Sequence, residues 1–456
     1  MTPPMPPAGL ILAAPASNSG KTTLTLALLR HLRESGCRVG SAKCGPDYID
    51  PAFHAAAGGR PCRNLDVWAM RPDTLAMQAL AAGRDCDLVV VEGVMGLFDG
   101  TSSGNGTGGN GTGGNGSTAD LALATGWPVV LVVDVKGQAT SAAATVLGFD
   151  RFRPDLRLAG VIFNRVGGDK HEAMLRAACA PLGIPVLGAV RRHPELTLPD
   201  RHLGLVQAAE HPDLGAFLNR AAARIAMEID IEALHGVARP LCMAPPVDGR
   251  PGVPPPGQRV AVARDVAFTF AYDWLLESWH RAGVEILPFS PLADQAPPMT
   301  ADSVYLPGGY PELHAGKLAG NAGFLAGLRA TATGGKTIFG ECGGYMVLGR
   351  GMVDREGVRH RMAGLLGLES SFARRKLHLG YRRAVLTEDG PLGCKGTVFR
   401  GHEFHFAGIL EESSDRPLFR CRDAADNELG PAGERRNSIA GSFIHLIDRQ
   451  LSDRAS

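Results

Sequence analysis

The chain has no excess of either charge: 47 Lys and Arg stand against 46 Asp and Glu, a formal net charge of +1. That balance gives no sign of nucleic-acid binding or of a polybasic membrane surface. No apolar run approaches the ~20 residues that a membrane-spanning helix needs. Met1-Thr2-Pro3-Pro4 carries no basic segment, so no secretory leader is expected. Nine cysteines, at 37, 44, 62, 86, 179, 242, 342, 394 and 421, are odd in number and include no C-x-x-C pair. This argues against a disulfide framework or a structural zinc site, and for a reducing cytoplasm. Hydrophobic residues are plentiful: 45% of 456 residues supplies two cores, and the length predicts two domains.

Seven prolines between 238 and 258 mark an interdomain linker, because such a stretch has few donors and favours extended backbone. Before it, apolar runs at 9–13, 39–43, 87–91, 128–133, 159–163 and 185–190 alternate with helical patterns; after it the alternation restarts at 259–263, 284–289, 303–306 and 336–340. Short apolar strands separated by helices predict α/β architecture: two doubly wound domains with parallel sheets covered on both faces. The expected division is 1–237, the linker 238–258, and 259–456. The Gly/Asn/Thr repeat at 104–117 is too polar to bury a core and reads as a loop, either a lid or an idle insertion.

Cys342 lies in Phe339-Gly340-Glu341-Cys342-Gly343-Gly344-Tyr345, after an apolar run and at the start of a helical pattern. A sharp strand-to-helix turn needs small residues two positions either side of a nucleophile, where the backbones run close. It lifts the side chain clear and aims the next N–H, that of Gly343, at whatever the sulfur attacks. The alternative is a buried, inert thiol. Upstream, Pro307-Gly308-Gly309 ends a strand and offers free N–H groups for an oxyanion, with Gly309 the candidate; otherwise it is a plain glycine turn. Downstream, His445 ends the apolar run Gly441-Ser442-Phe443-Ile444 and is a candidate base for Cys342; taken alone, such a residue is more often a satisfied structural histidine.

A second site opens the chain. Leu10-Ile11-Leu12-Ala13-Ala14-Pro15-Ala16-Ser17-Asn18-Ser19-Gly20-Lys21-Thr22-Thr23 follows a strand and begins a helix. Backbone N–H groups around Ser19, Gly20 and Thr23 suit phosphate oxygens, Lys21 suits the β/γ-phosphates, and the Thr22 hydroxyl suits Mg²⁺. Pro15 stands where the strict pattern has Gly, removing one donor. Glu92 ends the strand Val89-Val90-Val91, where a Mg²⁺-directed carboxylate belongs in a parallel sheet. Lys43-Cys44-Gly45-Pro46-Asp47-Tyr48-Ile49-Asp50-Pro51 follows another strand: Lys43 offers charge to phosphate, while Asp47 and Asp50 can serve Mg²⁺ or the acceptor. Solvated acids in a Pro/Gly turn are the alternative.

Residues 259–448 resemble a class I, triad-type glutamine amidotransferase, and residues 8–190 resemble the dethiobiotin synthetase-like P-loop ATPases. Where the amidotransferases often carry His-x-Glu, this chain has Ile447, which resembles the cobyrinate-amidating branch with its reduced Cys–His pair; Asp448 and Glu403 are conceivable substitutes. The order P-loop, K-C-G-P-D-Y-I-D-P, E-G-V-M-G-L-F-D-G, P-G-G-Y-P-E, F-G-E-C-G-G-Y and H-E-F-H is similar to the cobyrinic and hydrogenobyrinic acid a,c-diamide synthase family over nearly the whole chain. The resemblance implies Cys342 and His445 as catalytic pair and Gly309 and Gly343 as oxyanion hole. It implies Thr22, Asp47 and Glu92 near Mg²⁺, Lys21 and Lys43 near phosphate, Asn164 near adenine, and Asp47, Tyr48 and Asp50 near the acceptor. The implied partners are ATP, L-glutamine and a corrin carboxylate, with ammonia passed along a sheltered route; a homodimer is an open option. Amidation of a nickel-sirohydrochlorin, cobyric acid synthesis, and a regulatory ATPase carrying an inactive amidotransferase module are the competing readings. His402 and His405, three apart on a strand, are not expected to converge on a metal.

Overall fold

The computed structural model describes residues 6–101, 114–193, 213–244, 246–247, 249–413 and 416–450; residues 104–113 of the glycine-rich repeat lie outside them. The described residues form two compact units. The first runs to Trp68, from Pro72 to Thr101 and on to Val247; the second takes Ala69–Arg71 and the chain after residue 248.

The strands of the first unit are Ala8–Ala13 (β1), Val39–Cys44 (β2), Cys62–Leu65 (β3), Leu88–Glu92 (β4), Val129–Asp134 (β5), Leu158–Val166 (β6), Val186–Arg191 (β7) and Arg239–Pro240 (β8). Seven form a sheet in the order β3-β2-β4-β1-β5-β6-β7, parallel throughout, with β8 antiparallel on β1. β4 is buried along its whole length, as a strand covered on both faces must be. The helix Lys21–Glu34 turns Leu24, Ala27, Leu28 and Leu32 inward, each leucine contributing about 1.5–3 kcal/mol by burial. Ser117 caps the helix Thr118–Thr125 through a reciprocal pair with Asp120, and Gly126 at φ 72° ends it. β3 has no counterpart among the strands expected from the sequence, since Arg63 and Asn64 interrupt its apolar run.

The second unit contains Arg259–Ala263 (β9), Glu285–Phe289 (β10), Ser303–Leu306 (β11) and Thr337–Glu341 (β12). It continues with Gly351–Val353 (β13), Arg359–Arg361 (β14), Glu369–Ser371 (β15), His378–Leu386 (β16) and Val398–His405 (β17). Gly408–Glu411 (β18), Pro417–Arg422 (β19), Glu428–Arg436 (β20), Ile439–Ser442 (β21) and Ile444–Arg449 (β22) complete it. Ten strands run β10-β9-β11-β12-β21-β20-β19-β16-β17-β22. The first five are parallel; from β20 onward every pairing is antiparallel. The expectation of a purely parallel second sheet is thus corrected to a mixed one. Its antiparallel half is rich in Arg, His and Gly with many half-exposed positions, so no apolar run announces it.

Candidate active sites

In the second unit the turn at Cys342 is as tight as its sequence demands. A methyl group on Gly340 would lie 2.8 Å from the Gly344 carbonyl carbon, and one on Gly344 would lie 2.0 Å from Leu306 O. Cys342 itself is held at φ 47°, ψ −107°, a region costing an L-residue about 1–3 kcal/mol. Its N–H is anchored on Ser442 O at 2.8 Å. The backbone N–H groups of Gly343 and Gly309 lie near the sulfur and favour its thiolate, and the Cys342 thiol faces Phe404 O at 3.8 Å. Gly309 sits at φ 156°, and a methyl group on it would lie 2.1 Å from Ala267 O, so no side chain fits there.

His445 is wholly buried on β22. A methyl group on Gly308 would stand 2.4 Å from His445 Cε1 and 3.2 Å from Cys342 Cβ, so this one glycine separates nucleophile and imidazole. Burial, then His402 and His405, pull the imidazole well below its ordinary range. Burial, then the nearby Glu312, push the thiol up, although the two N–H groups oppose this. At rest the pair is therefore a neutral thiol and a neutral imidazole. Of the conceivable third members, Asp448 is ion-paired with Arg71 Nε at 2.9 Å, and Glu403 with Arg382 at 2.7 Å and His405 at 2.8 Å. Ile447 is buried. The ring across the ladder from His445 is His402, 5.2 Å away and pushed down to about 3 by burial.

His402 and His405 do not converge. His405 stacks on His378, its register partner, and on Phe443. Among the described residues His378, Glu403 and His405 bring three ligand atoms within 4.8 Å of one another; Arg382 already occupies the second Glu403 oxygen.

In the first unit, the sheet order places the C-terminal ends of β2, β4 and β1 side by side, which gathers Lys43, Glu92 and the loop before Lys21. Asn18 at φ 63° and Gly20 at φ 85° bend that loop in the left-handed region, turning successive N–H groups inward. Lys21 Nζ donates to Met95 O at 2.9 Å and Thr22 Oγ1 to Glu92 at 2.5 Å. Thr23 follows on the first turn of the helix Lys21–Glu34. Ser19 Oγ donates to Ala16 O, and Asn164 Nδ2 to Ser19 O at 2.8 Å, so Asn164 braces the loop from β6. Lys43 Nζ meets Glu92 at 3.0 Å and Asp50 at 2.5 Å. Asp47 Oδ1 accepts the N–H groups of Ile49 and Asp50; Tyr48 is half-buried in the same loop.

Burial would raise the Glu92 carboxyl, but Lys43 and then His54, 2.7 Å away, hold it well below the usual range. Asp50 goes the other way, to about 7, through burial and the neighbouring Asp47. The residues expected near Mg²⁺ offer oxygen only, the donor chemistry of a hard cation: Thr22 and Glu92 meet directly, while Asp47 turns Oδ1 to the Ile49 and Asp50 N–H groups. Sequence reasoning missed His54, which lies four residues beyond Asp50 on the helix Asp50–Gly58, a spacing that puts both on one face. It also missed Glu341, whose carboxylate accepts from Tyr305 Oη at 2.7 Å and Leu446 N at 3.1 Å.

Residues 10–206 match the CobQ/CobB/MinD/ParA nucleotide binding domain family, and residues 259–450 the CobB/CobQ-like glutamine amidotransferase domain family. The chain is 53% identical over 96% of its length to hydrogenobyrinate a,c-diamide synthase of Rhizobium meliloti, covering 99% of that protein. It is 54% identical over 97% of its length to the Rhodobacter capsulatus protein of the same name, again covering 99%. The chain belongs to the hydrogenobyrinate a,c-diamide synthase family.

Proposed function

We propose that this enzyme uses glutamine and ATP to convert the a and c acetate carboxylates of hydrogenobyrinic acid to amides. The observation that carries the reading is the tight turn that brings Cys342 and the His445 ring to either side of Gly308, with the Gly309 and Gly343 N–H groups near the sulfur, in a chain that matches its named relatives over 96% of its length. His445, neutral at rest, takes the thiol proton as the sulfur attacks the glutamine carboxamide carbon. The two N–H groups hold the negative oxygen of the tetrahedral intermediate. The proton passes to the leaving nitrogen, ammonia departs, and water releases glutamate from the thioester.

In the first unit an acetate oxygen of the corrin attacks the γ-phosphorus of ATP and ADP leaves, giving an acyl phosphate. Ammonia then attacks the acyl carbon and phosphate departs. Lys21 and Lys43 spread the charge of the transferring phosphoryl group. Thr22, Asp47 and Glu92 are the residues that would hold Mg²⁺, which when bound supplies further charge neutralisation. Asn164 fixes the loop that cradles the phosphates, and Tyr48 and Asp50 line the acceptor side. Cytoplasmic residence fits the free cysteines, and no described helix is long and apolar enough to cross a membrane. A homodimer remains part of the reading, to be weighed by light scattering.

The test is incubation with glutamine, MgATP and hydrogenobyrinic acid, followed by mass spectrometry. Two successive hydroxyl-to-amino exchanges, abolished in Cys342→Ala and restored there by ammonium, are expected. Amidation of a nickel-sirohydrochlorin but not of hydrogenobyrinic acid would overturn the acceptor. Undiminished glutamate release by Cys342→Ala would overturn the glutaminase.

A further inference from the structure

The reduced Cys–His pair leaves open what fixes the imidazole. Among the described residues β22 has a strand neighbour on one side only, β17. That pairing is irregular where it matters: Gly401 faces Leu446 while Arg400 faces Asp448, so Ile447 is unmatched. The irregularity falls two residues after His445, the residue that must meet Cys342. The side chain of Glu341 crosses to it. One carboxylate oxygen accepts the N–H of Leu446, the residue after His445, and the other accepts the hydroxyl of Tyr305. All three residues are at most 2% exposed. Tyr305 lies on β11, which leads into Pro307-Gly308-Gly309; Glu341 precedes Cys342. One carboxylate therefore ties the strand before the oxyanion loop, the nucleophile turn and the strand of the base.

We infer that Glu341 is the positioning residue for His445, acting through the Leu446 backbone in place of a carboxylate two residues after the imidazole. A buried carboxylate with no cation beside it is costly unless donors meet both oxygens. Here burial raises the carboxyl to about 7 and the two donors oppose the rise, which a core filled for stability alone would avoid with an apolar side chain. Glutamine at 341 keeps an oxygen for Leu446 N–H, and its amino group can donate to Tyr305 Oη. Alanine keeps neither.

The inference rests on the glutaminase reading, and the test separates the two. Wild-type protein that releases no glutamate sinks the reading itself. For Glu341→Ala, glutaminase kcat is expected to fall about 30-fold or more with KM for glutamine within about threefold. Alkylation of Cys342 by iodoacetamide should slow about tenfold at pH 8, and ammonium-driven amidation should stay unchanged. Glu341→Gln is expected to recover kcat to within about fivefold of wild type. Glu341→Ala with wild-type kcat, or Glu341→Gln as impaired as Glu341→Ala, overturns the proposal. Should the alanine protein fail to fold, the glutamine variant decides alone: near-wild-type glutaminase supports the tie. Loss of glutaminase, with or without loss of ammonium-driven amidation, overturns it.

Discussion

The left-handed backbone of Cys342 has a measurable cost separate from its chemistry. Alanine there keeps the strain and removes the sulfur, whereas glycine removes both. Cys342→Gly should therefore unfold at higher denaturant than Cys342→Ala, by about 1 kcal/mol after the extra chain entropy of glycine; a glycine variant less stable than the alanine one by about 0.5–1 kcal/mol would show that the turn is unstrained. Gly308 is the second residue with a sharp expectation. The methyl of Gly308→Ala collides with the His445 ring, so glutaminase should drop by about 100-fold or more while ammonium-driven amidation persists. The turn at Cys342 and the glycines around it were legible because a tight turn admits so few residues. Glu341 was not, because its partners are a tyrosine 36 positions upstream and a backbone N–H 105 positions downstream, and nothing in a local pattern signals such reach.

Among the elements, the strands of the first sheet were readable as apolar runs. β3 and the antiparallel stretch from 378 to 449 were not, because polar residues alternate there with small ones and the partners are distant in sequence. The helix Asp50–Gly58 shows what element geometry adds: it carries Asp50 and His54 to the ends of β2 and β4. His54 is wholly buried. Burial opposes its charge, but Cys62 and Glu92 prevail and raise it to about 10. A raised imidazole contributes stability fully present below its unfolded value of about 6.5 and lost as pH climbs towards 10. The nucleotide-free His54→Gln protein should thus be less stable than wild type by about 1–3 kcal/mol at pH 6, with the gap narrowing by pH 10 in paired thermal melts. A gap that widens with pH would contradict the Glu92–His54 arrangement.

For the whole molecule, the depressed His445 sets the acid side of glutamine turnover. An ordinary histidine would lose half its basic form near pH 6.5; here kcat/KM for glutamine should hold level from pH 8 to below 6.5, and a fall centred at or above 6.5 would count against a neutral resting imidazole. Acid stability runs the opposite way. His402 and His445 must stay neutral when buried, so below 6.5 the unfolded chain binds protons that the folded one cannot, and stability declines as pH drops. The shielded sulfur has one more consequence. Peroxide reacts with thiolates, and a nucleophile kept protonated until its amide arrives is a poor target. Low doses of hydrogen peroxide should oxidise the solvent-facing Cys242 and Cys394, traceable by peptide mapping, well before catalysis is silenced, leaving an enzyme that tolerates oxidative bursts while idle and is vulnerable chiefly during turnover.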